Sequence, residues 1–294
     1  MAARDTLIGI FLDAALHRPR ADQFMRRGPH AWEEIASARA LADVESLGLA
    51  LQELGVEHGD RVALLSETRY EWAVTDLAIL GLGAVTVPIY PSLTAAQCRT
   101  LLQNCEAKVL VASSHAQLDK LREAAAGLAF VRALVSMDAL PPGPPAGIHP
   151  LHALLERGGA LRQAQPGAFR AAAEAVRSDD LATIIYTSGT TGEPKGAMLT
   201  HGNIASNVAS ALKTLPFAPT DRCLSFLPLC HIFERMAGFY AMLSAGVSIA
   251  YAQGIESVGA DAVEVHPTLL IGMPRFYEKV SSRILAGGQS HPPP

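Results

Sequence analysis

Basic charge is in short supply in this 294-residue chain: 24 lysines and arginines stand against 28 aspartates and glutamates, a formal net charge of −4. Without a cationic excess there is no phosphate-neutralising surface of the kind that nucleic-acid binding depends on. Charge of either sign is sparse, 18% against 49% hydrophobic residues, and mean hydropathy is positive, which excludes an intrinsically disordered chain. The four cysteines, Cys98, Cys105, Cys223 and Cys230, form no Cys-x-x-Cys pair and read as reduced, mostly buried thiols of a cytoplasmic protein. No basic stretch leads into a clean apolar block at the N-terminus, where Asp5 and Asp13 bracket residues 7–12, so no signal peptide is expected. Long unbroken apolar runs are missing too. Residues 236–255 carry no formal charge, but Ser244, Gly246, Ser248, Gln253 and Gly254 interrupt them. They read as a buried helix, a glycine turn and a strand, with no membrane span.

What the chain does contain is alternation, with no internal repeat of fixed period. Apolar residues recur at helical spacing over 32–54, up to the stop signal Gly55. A buried strand is expected at 61–65, a helix at 70–80 and a strand at 84–88 ending in Pro88. Thr94 and Gln97 have capping-box spacing for a helix running to about Cys105, and strands follow at 109–111 and 131–135. Pro141-Pro142-Gly143-Pro144-Pro145-Ala146-Gly147 reads as an exposed connection. Beyond it come helical stretches at 152–157 and 168–176, then a strand at 181–186. Helices near 204–212 and 233–243 alternate with strands at 222–226, 247–250 and 268–271. The fold class is therefore α/β, parallel sheets packed with helices. The expected divisions are an N-terminal α/β subdomain (1–139), a connection with short helices (140–178) and a second subdomain (179–294).

The segment richest in chemistry is Tyr186-Thr187-Ser188-Gly189-Thr190-Thr191-Gly192-Glu193-Pro194-Lys195-Gly196. An apolar strand runs into hydroxyls and glycines and closes on a lysine. Glycines let backbone N–H groups approach an anion, hydroxyls add donors, and Lys195 supplies a point charge for phosphate oxygens. A Walker A loop is excluded, because Lys195 follows Pro194 and precedes Gly196.

Residues 186–196 resemble the signature phosphate loop of the adenylate-forming superfamily, which includes the acyl-CoA synthetases. Ala197-Met198-Leu199-Thr200-His201-Gly202-Asn203, Gly59-Asp60-Arg61-Val62-Ala63-Leu64, Glu71-Trp72 and Val87-Pro88-Ile89-Tyr90-Pro91 extend the likeness. The segment Leu227-Pro228-Leu229-Cys230-His231-Ile232-Phe233-Glu234-Arg235 is similar to one typical of the long-chain fatty acid–CoA ligase branch. His266-Pro267-Thr268 and Met273-Pro274-Arg275-Phe276-Tyr277-Glu278-Lys279-Val280 point the same way. The resemblance runs from about Trp32 to Val280. It implies activation of a fatty acid by ATP through an acyl-adenylate, with thioester formation to coenzyme A. Thr187, Ser188, Gly189, Thr190, Thr191, Gly192 and Lys195 would then hold the phosphates. Thr187 would be a Mg2+ ligand, and His231 would stand with Lys195 at the reacting centre, near the acyl carboxylate. Such chemistry rests on charge neutralisation and positioning more than on a protein nucleophile.

Other readings of single residues stay open. His231 is equally a satisfied histidine at a helix start. Glu234 and Arg235 are either an exposed helical pair or a brace for the site, and Phe239–Leu243 line an acyl tunnel or simply fill the core. Several family features find no counterpart: the Thr-Glu motif with the acidic magnesium ligand, the Thr-Gly-Asp segment that holds ribose, and the lid domain with its lysine. The chain thus reads as an N-terminal part of such a ligase. Its rivals are a catalytically incomplete fragment that at most binds nucleotide, and another adenylating acid–thiol ligase. A fatty-acid substrate is compatible with peripheral membrane association, although no basic amphipathic helix supports it.

Overall fold

The computed structural model describes residues 5–143, 145–188 and 194–288. The first helix, α1 (Leu7–His17), is capped by Thr6, whose hydroxyl accepts from the Gly9 amide at 3.1 Å. Leu7, Ile8, Phe11 and Leu12 are buried, so the apolar run near the start of the chain serves as an interior helix. β1 (Phe24–Arg27) and β2 (Trp32–Ile35) form an antiparallel hairpin that pairs Trp32 with Arg27 and Ile35 with Phe24. The helical spacing expected over 32–54 therefore divides: Trp32–Ile35 is strand, and α2 (Ser37–Glu53) begins after it. Pairing with β1 overrides the periodicity of so short a stretch.

Strict alternation follows in β3 (Arg61–Leu65), α3 (Tyr70–Gly81), β4 (Val85–Ile89), α4 (Ala95–Cys105), β5 (Val109–Ala112), α5 (His115–Ala125) and β6 (Ala133–Ser136). The capping box at the start of α4 forms, with the Gln97 amide donating to Thr94 Oγ1 at 3.3 Å and the Thr94 amide donating to Gln97 Oε1 at 2.9 Å. β7 (Ile148–Pro150), α6 (Leu151–Ala164) and α7 (Ala168–Ala175) lead to the hairpin of β8 (Leu181–Ser188) and β9 (Pro194–Thr200), then to α8 (His201–Thr214). The remainder is β10 (Arg222–Ser225), the short α9 (Ile232–Glu234), a π-helical turn at Arg235–Tyr240, α10 (Ala241–Ala245), β11 (Ser248–Tyr251), α11 (Val258–Val265) and α12 (Pro274–Gly288). The strand expected at 268–271 shrinks to one parallel bridge, Cys223 to Leu269. All four cysteines are free and buried.

Two sheets result. The larger has seven strands in the order β7-β6-β5-β3-β4-β8-β9, parallel except for β9; the smaller is β10-β11-β1-β2, with β2 antiparallel. Each sheet takes strands from both sides of the proline-rich connection. Alternation along β3 sends Val62 and Leu64 into a core shared with α1, α2, α3 and with Phe24, Ile249 and Tyr251 of the smaller sheet. Ala63 and Leu65 face the opposite way, under α4 and α5. Met25, Leu224 and Ala250 cover the far side of the smaller sheet with Val258 of α11. Helices thus lie between the sheets as well as outside them. Among the described residues no helix is long and apolar enough to cross a membrane.

The tightest helix contact is between α6 and α2, where a Cβ built on Gly158 would sit 1.8 Å from the Ser46 carbonyl oxygen. Gly158→Ala should destabilise the chain by about 2 kcal/mol through overpacking. At the adjacent Gly159 the nearest atom is 3.9 Å away, and Gly159→Ala should stabilise it by about 1 kcal/mol through helix propensity. Urea unfolding midpoints measure both, and a shift of the same sign for the two variants would contradict the packing argument.

Candidate functional site

β8 carries the signature segment to the edge of the larger sheet and turns back as β9. The register pairs Thr187 with Lys195 and Ser188 with Pro194. Directly opposed residues of an antiparallel pair share a face, so Thr187 and Lys195 lie side by side near the end of the ladder. Both are exposed, and Lys195 makes no ion pair among the described residues. Gly189, Thr190, Thr191 and Gly192, the other expected phosphate donors, lie outside the described residues.

Strand alternation also settles which way that face looks. Thr183 lies four residues before Thr187, hence on the same face, and is fully buried with its hydroxyl against Arg235. Ile184 and Tyr186 point to the opposite side, toward the core under α4 and α5. The Thr187–Lys195 face is therefore the face of β8 on which Thr183 meets Arg235, four residues beyond His231.

His231 is exposed and caps α9, its Nδ1 accepting from the Phe233 amide at 3.1 Å. That bond assigns the neutral ring its proton on Nε2, on the side away from the cap. The loop leading to His231 is clamped to the connection between β3 and α3: Thr68 Oγ1 donates to the Leu227 carbonyl at 2.7 Å and accepts from the Leu229 amide at 2.9 Å. Cys230 is buried, and burial with the nearby Glu67 carboxylate pushes its thiol up to about 12, too high for a thiolate at neutral pH. Burial works to raise Glu67, but hydrogen bonds led by that from Ser113 hold its carboxyl below the usual range. The C-terminal ends of β3 and β5 thus meet the His231 loop, on the side where parallel sheets place their ligands. Beside Thr68 a cavity of about 440 Å³, lined by Arg26, Arg69, Glu71 and Tyr251, opens over the ends of β1 and β11.

Glu234 and Arg235 are 1% and 0% exposed, which overturns their reading as an exposed pair. They face opposite sheets. The Glu234 carboxyl accepts from Ser225 Oγ at the end of β10 at 2.6 Å, in the smaller sheet, while its Oε2 is buried with no partner among the described residues. Burial pushes this carboxyl up to about 7. Arg235 turns to the larger sheet. Its Nη2 and Nε bond both carboxylate oxygens of Asp76 in α3, its Nη1 donates to Thr183 Oγ1 at 2.8 Å, and its Nε also reaches the Tyr240 hydroxyl at 2.9 Å. Tyr240 donates to Asp76 in turn, and Thr86 completes the set by donating to Asp76 at 2.7 Å. The guanidinium also lies over Trp72, 5.5 Å from the ring centroid. Burial opposes the Arg235 charge, and Asp76 and Tyr240 outweigh it, so the guanidinium is held more firmly protonated than usual.

The π turn explains how two side chains five residues apart reach one carboxylate. Its i→i+5 bonding widens the helix and brings Arg235 and Tyr240 onto one face. Gly238 belongs to the same geometry, since a Cβ there would lie 2.3 Å from Glu234 Oε1. Phe239 to Leu243 are buried in the main core, with the Phe239 ring tilted against Phe24. An apolar groove of about 320 Å³ lies elsewhere, between Leu227, Ile255, Met273, Phe276 and Val280.

The fold of two α/β sheets with helices between and around them has counterparts among solved structures. The adenylation domain of a carboxylate reductase from Mycobacterium chelonae superposes with a TM-score of 0.83 at 23% identity, over 98% of this chain and 49% of that one. The model of the AMP-binding enzyme family matches residues 12–292, and the chain belongs to that family. Long-chain-fatty-acid–CoA ligase FadD15 of Mycobacterium tuberculosis is 36% identical over 254 residues, 85% of this chain and 40% of the relative. Peroxisomal long chain acyl-CoA synthetase 7 of Arabidopsis thaliana is 30% identical over 275 residues, 90% of this chain and 37% of the relative. The chain spans less than half the length of these curated relatives.

Sequence reasoning missed the bracing role of Asp76, Thr183 and Tyr240. Asp76 lies 159 residues from Arg235, and no spacing rule links them. A further buried group, His201, accepts at Nδ1 from the Leu7 amide at 3.2 Å, and burial pushes its pKa down to about 4. His201 and Glu234 act on stability in opposite directions. The His201 ring stays neutral in the fold while the unfolded ring charges below its ordinary 6.5, so its contribution is present above 6.5 and lost as pH falls toward 4. Glu234 stays protonated in the fold while the unfolded carboxyl ionises above 4.5, so its contribution is present at low pH and lost as pH rises toward 7. Glu234→Gln removes only the second effect. Its stability relative to the parent chain should rise by about 2 kcal/mol from pH 5 to pH 7.5, read from urea midpoints at each pH. A difference that does not change with pH would mean that Glu234 titrates like an exposed carboxylate.

Proposed function

We propose that this chain forms the phosphate- and acid-binding side of an ATP-dependent long-chain fatty acid–CoA ligase. The observation that supports the reading is the pairing of Thr187 with Lys195 in the β8–β9 ladder, on the strand whose Thr183 meets Arg235, four residues beyond His231. Lys195 and the Thr187 hydroxyl suit the polyphosphate of ATP, one as a mobile cation and the other as a short polar group. His231, with its Nε2 proton directed away from the cap, suits a carboxylate. The groove beside Leu227, four residues before His231, would take the alkyl chain in place of the Phe239–Leu243 segment.

In the first step the fatty-acid carboxylate attacks the α-phosphate of ATP, giving an acyl-adenylate and pyrophosphate; the coenzyme A thiol then displaces AMP. Mg2+ would neutralise phosphate charge, with Thr187 as one ligand. Among the described residues no group of three or more His, Cys, Asp and Glu side chains is placed to hold a metal ion. The remaining ligands would be phosphate oxygens and water, which is how Mg2+ commonly binds nucleotides. The long-chain branch is supported by the Leu227–Arg235 segment and by the relatives' own activity.

The test is calorimetric titration of the 294-residue chain with MgATP and, separately, with decanoate. Lys195→Ala should weaken MgATP binding by roughly tenfold or more, the usual worth of a charge-assisted hydrogen bond. His231→Ala should weaken decanoate binding and spare MgATP. Unchanged MgATP affinity in Lys195→Ala would sink the assignment. Fatty-acid-dependent exchange of pyrophosphate into ATP by these 294 residues alone should be weak, because the acidic magnesium ligand and ribose-binding aspartate of the family pattern are not among them.

A further inference from the structure

Resting on that reading, we propose that Arg235 is a positioning residue that locks the His231 segment to the Thr187–Lys195 face, so that filling one half of the site orders the other. The connections are short and direct. Arg235 is four residues beyond His231, and Thr183, which accepts from Arg235 Nη1 at 2.8 Å, is four residues before Thr187 on a continuous strand. Asp76 holds the guanidinium from α3, and Thr183 also donates to the Thr86 carbonyl at 2.7 Å, tying β8 to β4 at the same point. Glu234, the neighbouring residue, fixes the same short helix to β10 through Ser225. The helix capped by His231 is therefore pinned to both sheets by consecutive side chains.

Stability alone is a poor account of this arrangement. A buried ion pair replaced by apolar residues of similar volume is often no less stable, whereas the fork of an arginine dictates where each of its partners must stand. Here the fork also requires a π turn, a departure from regular helix that recurs at functional positions. A network that allows one arrangement of β8, α3 and the His231 helix makes the ordering of the two half-sites a shared event. A polyphosphate bound at Thr187 and Lys195 then lowers the ordering cost for a carboxylate at His231, and the effect is reciprocal.

Thr183→Val keeps the side-chain shape and the Arg235–Asp76 pair but removes the acceptor that connects Arg235 to β8. Arg235→Lys keeps the charge beside Asp76 but cannot bond Asp76 and Thr183 with a planar fork. Calorimetry on the full chain would measure MgATP affinity with and without saturating decanoate, and decanoate affinity with and without saturating MgATP. In the parent chain each ligand should tighten the other by about fivefold or more. In both variants that factor should fall to about one, while thermal unfolding stays cooperative. A purely structural role would lower the melting temperature and leave the coupling factor intact. Parent-like coupling in the variants overturns the proposal, as does the absence of coupling in a parent chain that binds both ligands. A parent chain that does not bind MgATP at all overturns the functional reading itself, and this proposal with it.

Discussion

The Arg235 guanidinium has no access to water and is held by Asp76, Thr183 and Tyr240. Much of the arrangement around the site can be derived from that fact. A charge in the interior is tolerable only with a counter-charge and near-complete hydrogen bonding, so Asp76 must come from α3 and Thr183 from β8. Holding Tyr240 in the same cluster requires the helix to widen, and the widened turn leaves room for Glu234 against Gly238 only because residue 238 has no side chain. His231 inherits its position from this chain of requirements.

The clamp at Thr68 acts on the other end of the same segment. One hydroxyl donates to the Leu227 carbonyl and accepts from the Leu229 amide, satisfying two backbone groups that would otherwise be left without partners in a half-buried loop. The chain from Leu227 to Arg235 is thus anchored at both ends, with His231 between the anchors. The apolar cores hold the helices on the sheets, but hydrophobic contact is non-directional and would tolerate small slides. Directional bonds are what make the separation of His231 from β8 a definite quantity.

Local features were legible in the sequence because they depend on neighbours along the chain. The capping box at Thr94, the alternation of buried strands with helices, and the interrupted apolar stretch at 236–255 all follow from spacing and turn chemistry. Trp32–Ile35 was not legible, since two apolar residues flanking Glu33 and Glu34 continue the helical spacing of the residues after them until the partner strand is known. The phosphate segment was recognisable as a motif, and its hairpin register adds the pairing of Thr187 with Lys195. Glu234 and Arg235 stood in a recognisable segment, yet charged residues are ordinarily solvent-facing, and nothing local reports a carboxylate 159 residues away. Phe239–Leu243 meet a related limit: apolar residues that line a channel and apolar residues that fill a core have the same pattern.

One buried charge pair also governs how the interior treats its other ionisable groups. Glu234 sits next to Arg235 in sequence but does not pair with it, because consecutive side chains on the short helix leave in different directions and Asp76 already occupies the fork. Without a cation beside it, burial favours the protonated carboxyl. His201 is driven the opposite way in pKa but to the same outcome: burial disfavours its charged form, and the field of Arg235 adds to that, although Asp180 opposes it. Burial thus works against the charged form of both groups, while the Arg235–Asp76 pair keeps its charges with both side chains fully buried. The buried Arg235–Asp76 pair, with Thr183 as its link to β8, is thus what fixes the His231 helix against the phosphate strand.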